Sequence, residues 1–253
     1  MIPPRLDIVI PVYNEGSVIL ETLAELRRLV LTPSRILICY DLPDDNTLST
    51  IKANPDRVEG LSIEFVRNPS RGPHAAVMAG FAASRAPYVV MFPADDDANA
   101  DILDLMVAKA DQGIDVVCAS RFIPGGCMVG CRWVKAALVR TAAFTLYYVA
   151  RLPSRDATNG FRLFSRRVID CIEIESDLGF CYSLEMLVKC HRLGWPIADV
   201  PAQWFERKQG ASRFHVLKWV PAYLRWYMYA FATTFLRRPP SSVQRRLAGK
   251  TAI

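Results

Sequence analysis

The chain has 253 residues, 51% of them hydrophobic and 22% charged, with a formal net charge of +6. That composition suits one globular domain with a sizeable core. Seven cysteines without a CxxC pair, and three histidines without short spacing, argue against a disulfide scaffold or a zinc site and for reduced thiols in a cytosolic compartment. The opening stretch MIPPRLDIVIPVYNE shows no basic segment followed by a long apolar one, so no secretory leader is expected. The first hundred residues are acid-rich, and the excess of Lys and Arg lies after about residue 120. A basic half that also carries apolar, aromatic stretches favours a membrane surface or a phosphorylated substrate over a nucleic-acid groove.

Leu6–Val12 (LDIVIPV) is a short β-branched run and predicts a buried strand. Asn14-Glu15-Gly16-Ser17 breaks it, and apolar residues at helical spacing predict a helix over Val18–Leu29 with Ser17 as N-cap. Arg35–Tyr40 is a second strand that ends in Asp41, with a helix from Thr47 to Ala53. Leu61–Val66 is a third strand, followed by a Ser70–Pro73 turn and a small-residue helix over His74–Arg85. Pro87–Phe92 is a fourth strand, which runs into Pro93-Ala94-Asp95-Asp96-Asp97. A helix over Ile102–Gln112 and a fifth strand over Asp115–Ser120 follow. Strands that read as apolar runs, alternating with helices, mean βαβ units and a mostly parallel α/β sheet. Ligands of such sheets bind beyond the carboxyl ends of the strands, where Asn14-Glu15, Asp41 and Asp95–Asp97 all fall.

The second half is different in character. Trp133–Leu152 is apolar with interspersed Lys135, Arg140 and Arg151, and Phe214–Leu236 is apolar and aromatic with Lys218, Pro221 and Arg225. Neither is a clean uncharged span of about 20 residues, which argues against a transmembrane helix. Burial in the core and an amphipathic position in the membrane interface weigh equally for the first; the interface is favoured for the second, where Trp and Tyr suit headgroup level. Residues 237–253 show no apolar periodicity and predict a disordered tail.

Asp95 and Asp97, two apart after a strand, offer hard oxygens suited to Mg²⁺ or Mn²⁺ and through it to phosphate. The competing reading is a helix cap supplied by Asp97, Asn99 or Asp101. Glu15 and Asp41 suit a sugar hydroxyl or base N–H, although one loop acid is weak evidence alone. The turn Arg71-Gly72-Pro73-His74 at a helix start has phosphate-binding character without matching a phosphate-loop motif, and His74 is more economically a helix residue without a role. Of Arg121, Arg132, Lys135, Arg140, Arg155, Arg162, Arg207 and Arg213, only Arg121 at a strand end and Arg207 in a loop before the aromatic segment stand out by position.

The ordered set IPVYNE, Asp41, YVVMF with its acid cluster, ASRF, DATNGFRLFSRRVI, LEMLVKCHRLGWPIADVP and ERKQGASRF resembles the inverting family 2 glycosyltransferases with a GT-A fold. Within them it looks most like the dolichyl- and polyprenyl-phosphate mannosyl- and glucosyltransferases. The resemblance runs from about Leu6 to Phe235 and implies a GT-A domain over residues 1–213, with an amphipathic segment near 133–152 inside it and an aromatic interface segment over 214–236. Pro11, Tyr13, Glu15 and Asp41 match donor-contacting positions. The family's Asp-Ala-Asp-x-Gln motif becomes Pro93-Ala94-Asp95-Asp96-Asp97, so Asp95 holds the metal-binding position and Asp97 a departure from the pattern. Its Asp-Asp-Gly-Ser motif becomes Tyr40-Asp41-Leu42-Pro43. By the same resemblance Arg121 and Lys135 bind the acceptor phosphate, while Arg207 and Arg213 close on the donor diphosphate; Asp95, Arg121 and Arg207 would carry catalysis.

The function this implies is hexose transfer from a nucleotide-diphosphate sugar to a polyprenyl phosphate at the cytoplasmic face of the membrane, with Mg²⁺ or Mn²⁺ on Asp95 and Asp97 and no nucleic-acid partner. Two alternatives stay open. Transfer to a saccharide hydroxyl would need a carboxylate base, for which Asp96 and Asp156 are the candidates. A non-catalytic nucleotide-sugar-binding role is the other, motivated by Pro93 and Tyr40.

Overall fold

A computed structural model of the chain describes residues 3–96, 98–206 and 216–246. In chain order the elements are β1 (Leu6–Val12), α1 (Ile19–Leu29), β2 (Ser34–Tyr40), α2 (Asn46–Ala53), the single turn α3 (Pro55–Val58), β3 (Ile63–Arg67), α4 (Pro73–Ala83), β4 (Tyr88–Met91) and α5 (Ile102–Asp111). There follow β5 (Val116–Ser120), β6 (Cys127–Val129), α6 (Trp133–Phe144), β7 (Arg162–Ser165), α7 (Arg166–Cys171), α8 (Cys181–Arg192), β8 (Ile197–Pro201), β9 (Gln203–Phe205) and α9 (Val216–Phe235). A π-helical turn, Thr145–Val149, continues α6.

The main sheet has the order β3-β2-β1-β4-β7-β5-β8, and β6 pairs with β9 in a separate two-stranded ribbon. All pairings in the main sheet are parallel except those of β7, which runs antiparallel between β4 and β5. The strands expected in the first half form within a residue or two of their expected ends. β7 and β8 were not anticipated: the four residues of β7 begin with a buried arginine and give no apolar run to read.

Successive side chains of each strand enter opposite cores. Ile8, Ile10, Ile36, Ile38, Val90 and Val117 pack with α1 and α5, while Val9, Leu37, Cys39, Val89, Met91 and Cys118 pack with α4 and α8. This two-sided burial is why the strands read as continuous apolar runs. The expected Ser17 cap does not form. Val18 holds the cap position of α1 without a side-chain bond, and the carbonyl of Glu15 accepts from the N–H groups of Val18 and Ile19 instead.

A buried charge network fastens α9 to α8. Glu185 and Lys189 are both fully buried and lie 2.7 Å apart. Lys189 Nζ also reaches Glu175 at 2.7 Å and the carbonyl of Glu173 at 2.6 Å, while Glu185 accepts the backbone N–H groups of Glu175 and Ser176. Trp226 of α9 covers the group: its Nε1 donates to Ser176 Oγ, and Lys189 sits 5.1 Å from its ring centroid. Arg192 stacks 3.3 Å from the centroid of Tyr229. The tail expected to be disordered begins as an ordered return: Val243 is buried, Arg246 donates to the carbonyl of Cys171, and Ile172 and Arg245 form a bridge. Residues 247–253 lie outside the described set.

Gly80 lets α4 lie directly on the sheet, since a Cβ there would stand 2.4 Å from Val9 Cγ1 and 2.8 Å from Cys39 Sγ. Gly80→Ala is therefore expected to cost about 1–3 kcal/mol by overpacking. Denaturant midpoints at unchanged m-value check this; a gain in stability, as exposed helical Gly→Ala normally gives, would contradict it.

Candidate active site

The carboxyl ends of β1, β2, β4 and β5 share one edge of the sheet. β1, β2 and β4 are mutually parallel, and β7, antiparallel to both neighbours, makes β5 parallel to them as well. At the β1 end, Asn14 takes a left-handed backbone with φ of 55°. Three consecutive backbone N–H groups of this turn are held by the start of α2: Asn14 by Asp45 Oδ2 at 3.0 Å, Glu15 by Thr47 Oγ1 at 2.9 Å and Gly16 by Asn46 Oδ1 at 2.9 Å. Asp45 also caps α2 through the N–H of Thr47. The turn is thus a fixed shelf on which Tyr13 is exposed, Glu15 half-buried and, just before it, Pro11 half-buried. At the β2 end, Asp41 accepts from Asn68 Nδ2 and from the N–H of Gly72, both at 2.8 Å, which ties β2 to the loop that starts α4. His74, in the first turn of α4, has a buried Nδ1 without a hydrogen-bond partner among the described residues, and burial holds its pKa below the ordinary value.

The acid cluster after β4 divides in function. The N–H of Phe92 donates to the carbonyl of Val9, and Thr22 Oγ1 donates to the carbonyl of Ala94 at 2.8 Å, so the approach to the loop is rigid. Asp96 turns inward. Its Oδ1 accepts from the N–H groups of Ala98 and Asn99 at 3.0 Å and from Asn99 Nδ2 at 2.9 Å. Asn99, itself buried, clamps the loop to β9 by accepting from the N–H of Gln203 at 2.7 Å and donating to its carbonyl at 2.8 Å. Desolvation pushes the Asp96 carboxyl up to about 6 against these hydrogen bonds. Asp95 stands half-buried at the head of the loop. Of the capping candidates, Asp101 holds the cap position of α5 without a side-chain bond, and Asn99 serves the β9 clamp. Asp97 lies outside the described residues.

Arg121 follows β5, as expected, but its guanidinium is committed. Nε lies 2.7 Å from Asp156 Oδ2 and Nη2 lies 2.9 Å from Asp156 Oδ1 and from Thr158 Oγ1; the Arg121 N–H reaches Oδ2 as well. Asp156 is fully buried, so this bidentate pair is shielded from water. Extending the register through β7, where Phe164 faces both Val89 and Val116, sets Arg121 level with Ala94, next to Asp95. Gly126 permits the next turn, since a Cβ there would meet the carbonyl of Ser120 at 2.4 Å. Arg121 Nη1 points away from Asp156, 3.8 Å from Met128 Sδ.

Lys135 stands over the Trp204 ring at 4.9 Å, beside the β6–β9 ribbon that the acid loop grips. Arg140 faces Phe122, Arg155 faces Tyr147, Arg132 is exposed and Arg162 is fully buried against Ser183 and the carbonyl of Ala157. Arg207 and Arg213 fall outside the described residues; the chain leaves the ribbon toward them at Glu206, whose N–H is held by Val129. The two base candidates for a hydroxyl acceptor are both occupied, Asp156 by Arg121 and Thr158 and Asp96 by its own loop. Sequence reasoning missed Asn68, Asp45 and the Asn99 clamp; Asx turns mark Asp45 and Asn68 locally, but only the fold gives the distant partners of all three.

The profile of Glycosyl transferase family 2 matches residues 7–173. The chain belongs to this family. This family 2 glycosyltransferase is 30% identical over 217 residues to an undecaprenyl-phosphate mannosyltransferase of Micrococcus luteus, covering 83% of this chain and 87% of that one. It is 26% identical over 218 residues to a polyprenol monophosphomannose synthase of Mycolicibacterium smegmatis, covering 83% and 80%. Its fold, GT-A, is that of glucosyl-3-phosphoglycerate synthase from Mycobacterium tuberculosis solved with Mn²⁺, UDP and glucosyl-3-phosphoglycerate, with a TM-score of 0.64 at 16% identity over 96% of this chain and 86% of that one.

Two outcomes follow from the site's geometry. Asp96 has a raised folded pKa, so between about pH 4 and pH 6 the folded chain holds a proton that the unfolded chain has released. That contribution to stability is therefore lost as pH rises through this window. Asp96→Asn cannot ionise and should gain on the native protein in unfolding free energy from pH 4 to pH 7, on the order of 1–2 kcal/mol; a pH-independent difference would refute the assignment. For Arg121 and Asp156, removal of the arginine alone (Arg121→Met) should cost about 3–5 kcal/mol, because it strands a buried carboxylate. Arg121→Met with Asp156→Leu should recover about 1–3 kcal/mol of the additive loss in a denaturation cycle.

Proposed function

We propose that this glycosyltransferase moves a hexosyl group from a nucleotide-diphosphate sugar to a polyprenyl phosphate, at the cytoplasmic face of a membrane and with inversion at the anomeric carbon. The observation that carries the acceptor assignment is the match, over most of both chains, to two relatives named for polyprenol and undecaprenyl phosphate. The geometry agrees with it. An anionic phosphate attacks without a strong base, and both carboxylates that might have served as one are tied into the scaffold.

In this reading Pro11, Tyr13, Glu15 and Asp41 receive the nucleotide. The Asp41 oxygens each accept one internal bond and each retain acceptor capacity for a ribose or base donor. Among the described residues no three His, Cys, Asp or Glu side chains form a metal-binding group. Asp95, with Asp97, would hold Mg²⁺ or Mn²⁺, since carboxylate oxygens suit these hard cations. The cation, when bound, would supply charge neutralisation for the diphosphate leaving group. Arg207 and Arg213 add positive charge on the same group. Arg121, fixed by Asp156, presents Nη1 toward the acceptor phosphate, and Lys135 supplies the second cation.

The membrane reading rests on exposed apolar side chains. Trp133 (82% exposed), Leu138 (64%) and Phe144 (58%) of α6 and Leu224 (53%), Met228 (55%) and Phe235 (61%) of α9 all face outward. α9 and the π turn are joined by Thr145 Oγ1 and Tyr227 Oη at 2.7 Å. Among the described residues no helix is long and apolar enough to cross a membrane, so these faces are proposed to lie in the interface.

Purified protein with Mg²⁺ or Mn²⁺ should release nucleotide diphosphate from GDP-mannose, UDP-glucose or a related donor only when polyprenyl phosphate is added, and a chelator should stop it. Asp95→Asn should lower kcat by about a hundredfold or more while the melting temperature stays near that of the native chain. Failure to transfer sugar from any such donor would sink the assignment.

A further inference from the structure

A groove of about 510 Å³ opens where the π turn and α9 end side by side, lined by Tyr148, Val149, Arg151, Thr234, Phe235 and Arg237. It exists because Thr234 Oγ1 of α9 donates to the carbonyl of Ala150, which pins the two helix ends together. Beyond each end the chain turns through an arginine in the left-handed region, Arg151 with φ of 54° and Arg237 with φ of 47°. Glycine or asparagine is the usual occupant of such a position, and a longer side chain costs about 1 kcal/mol there. Both arginines are exposed, and among the described residues neither has a carboxylate or hydrogen-bond partner. The two helix C-termini contribute about half a negative charge each. Two guanidinium groups outweigh them, which leaves the groove with a net charge near +1 by the same estimate. Three of the apolar lining residues are themselves exposed: Tyr148 (56%), Val149 (41%) and Phe235 (61%). A cationic groove with an apolar, aromatic rim matches a phosphate that is attached to a hydrocarbon.

We propose that this groove binds the headgroup phosphate of an anionic phospholipid, separately from the acceptor-phosphate site beside Asp95. Arg151 and Arg237 grip the phosphate as planar forks, and Tyr148, Val149 and Phe235 sit against the acyl boundary. The proposal rests on the membrane-surface reading above and adds a lipid preference to it. It also orients the chain, since the groove lies at the end of the helix pair that carries the exposed apolar face.

The test is co-sedimentation of the full chain with phosphatidylcholine vesicles, with and without phosphatidylglycerol. The native chain should prefer the anionic vesicles. Arg151→Gln and Arg237→Gln should each weaken that binding about fivefold, with the melting temperature unchanged. Arg57→Gln, in α3 against the opposite core, should not move it. Arg151→Lys with Arg237→Lys retains the charge but loses the fork, and should weaken binding several-fold. Lysine variants equal to the native chain would mean diffuse charge attraction and overturn the site. Equal binding to both vesicle types, with the glutamine variants unaffected, would overturn the proposal and leave the membrane reading standing. Displacement from the vesicles by millimolar inorganic phosphate would assign the groove to free anions instead of a headgroup. If the native chain bound neither vesicle, both readings would fall together.

Discussion

The site depends on one short strand running against the direction of its neighbours. β7 lies between β4 and β5 and pairs with both, so the acid loop and Arg121 are positioned by the same four residues. Its register is strongly specified, because a one-residue slip would exchange Leu163 and Phe164 between the two cores. The segment that leads into it supplies Asp156, Thr158 and Asn159; Asn159 Nδ2 donates to the carbonyl of Ala119 and holds that segment against β5. The antiparallel insertion thus delivers the partner of Arg121 and fixes the level of Arg121 relative to Asp95 in one step.

Most of the carboxylates that make this half of the chain look like a metal or nucleotide site serve the backbone. Asp45 and Asp41 each accept a main-chain N–H from a neighbouring loop, Asp96 accepts two from its own loop, and Asp156 accepts one from Arg121. Satisfying buried N–H groups in this way lets polar loops sit rigidly at the end of an apolar sheet. The run Asp95-Asp96-Asp97 is accordingly a mixed device. Its middle member anchors the loop, at the cost of a raised pKa, and so holds the position of Asp95.

The second half solves a different problem. α9 must remain attached while presenting Leu224, Met228 and Phe235 outward. An apolar seam alone would compete with that outward face for burial. The Glu185–Lys189–Glu175 group under Trp226 is directional: it is satisfied with α9 in one orientation, and breaking it would strand buried charge. We read this polar seam as the reason the apolar face can be left exposed without α9 rolling over.

The sequence by itself determined the βαβ frame of the first half, the strand ends that carry Glu15, Asp41, Asp95 and Arg121, and the family, because apolar runs and strand-end motifs are local signals written in consecutive residues. It also located the aromatic segment of α9, though it passed over Val243, which is buried where a disordered tail was expected. Only the tertiary structure decided that β7 reverses direction, since four residues headed by a buried arginine carry no periodicity. It alone paired Arg121 with Asp156 across 35 positions and Asn99 with Gln203 across 104, and so showed which charges are scaffold. Such pairings are set by the packing of distant strands, and no local pattern in the chain encodes them.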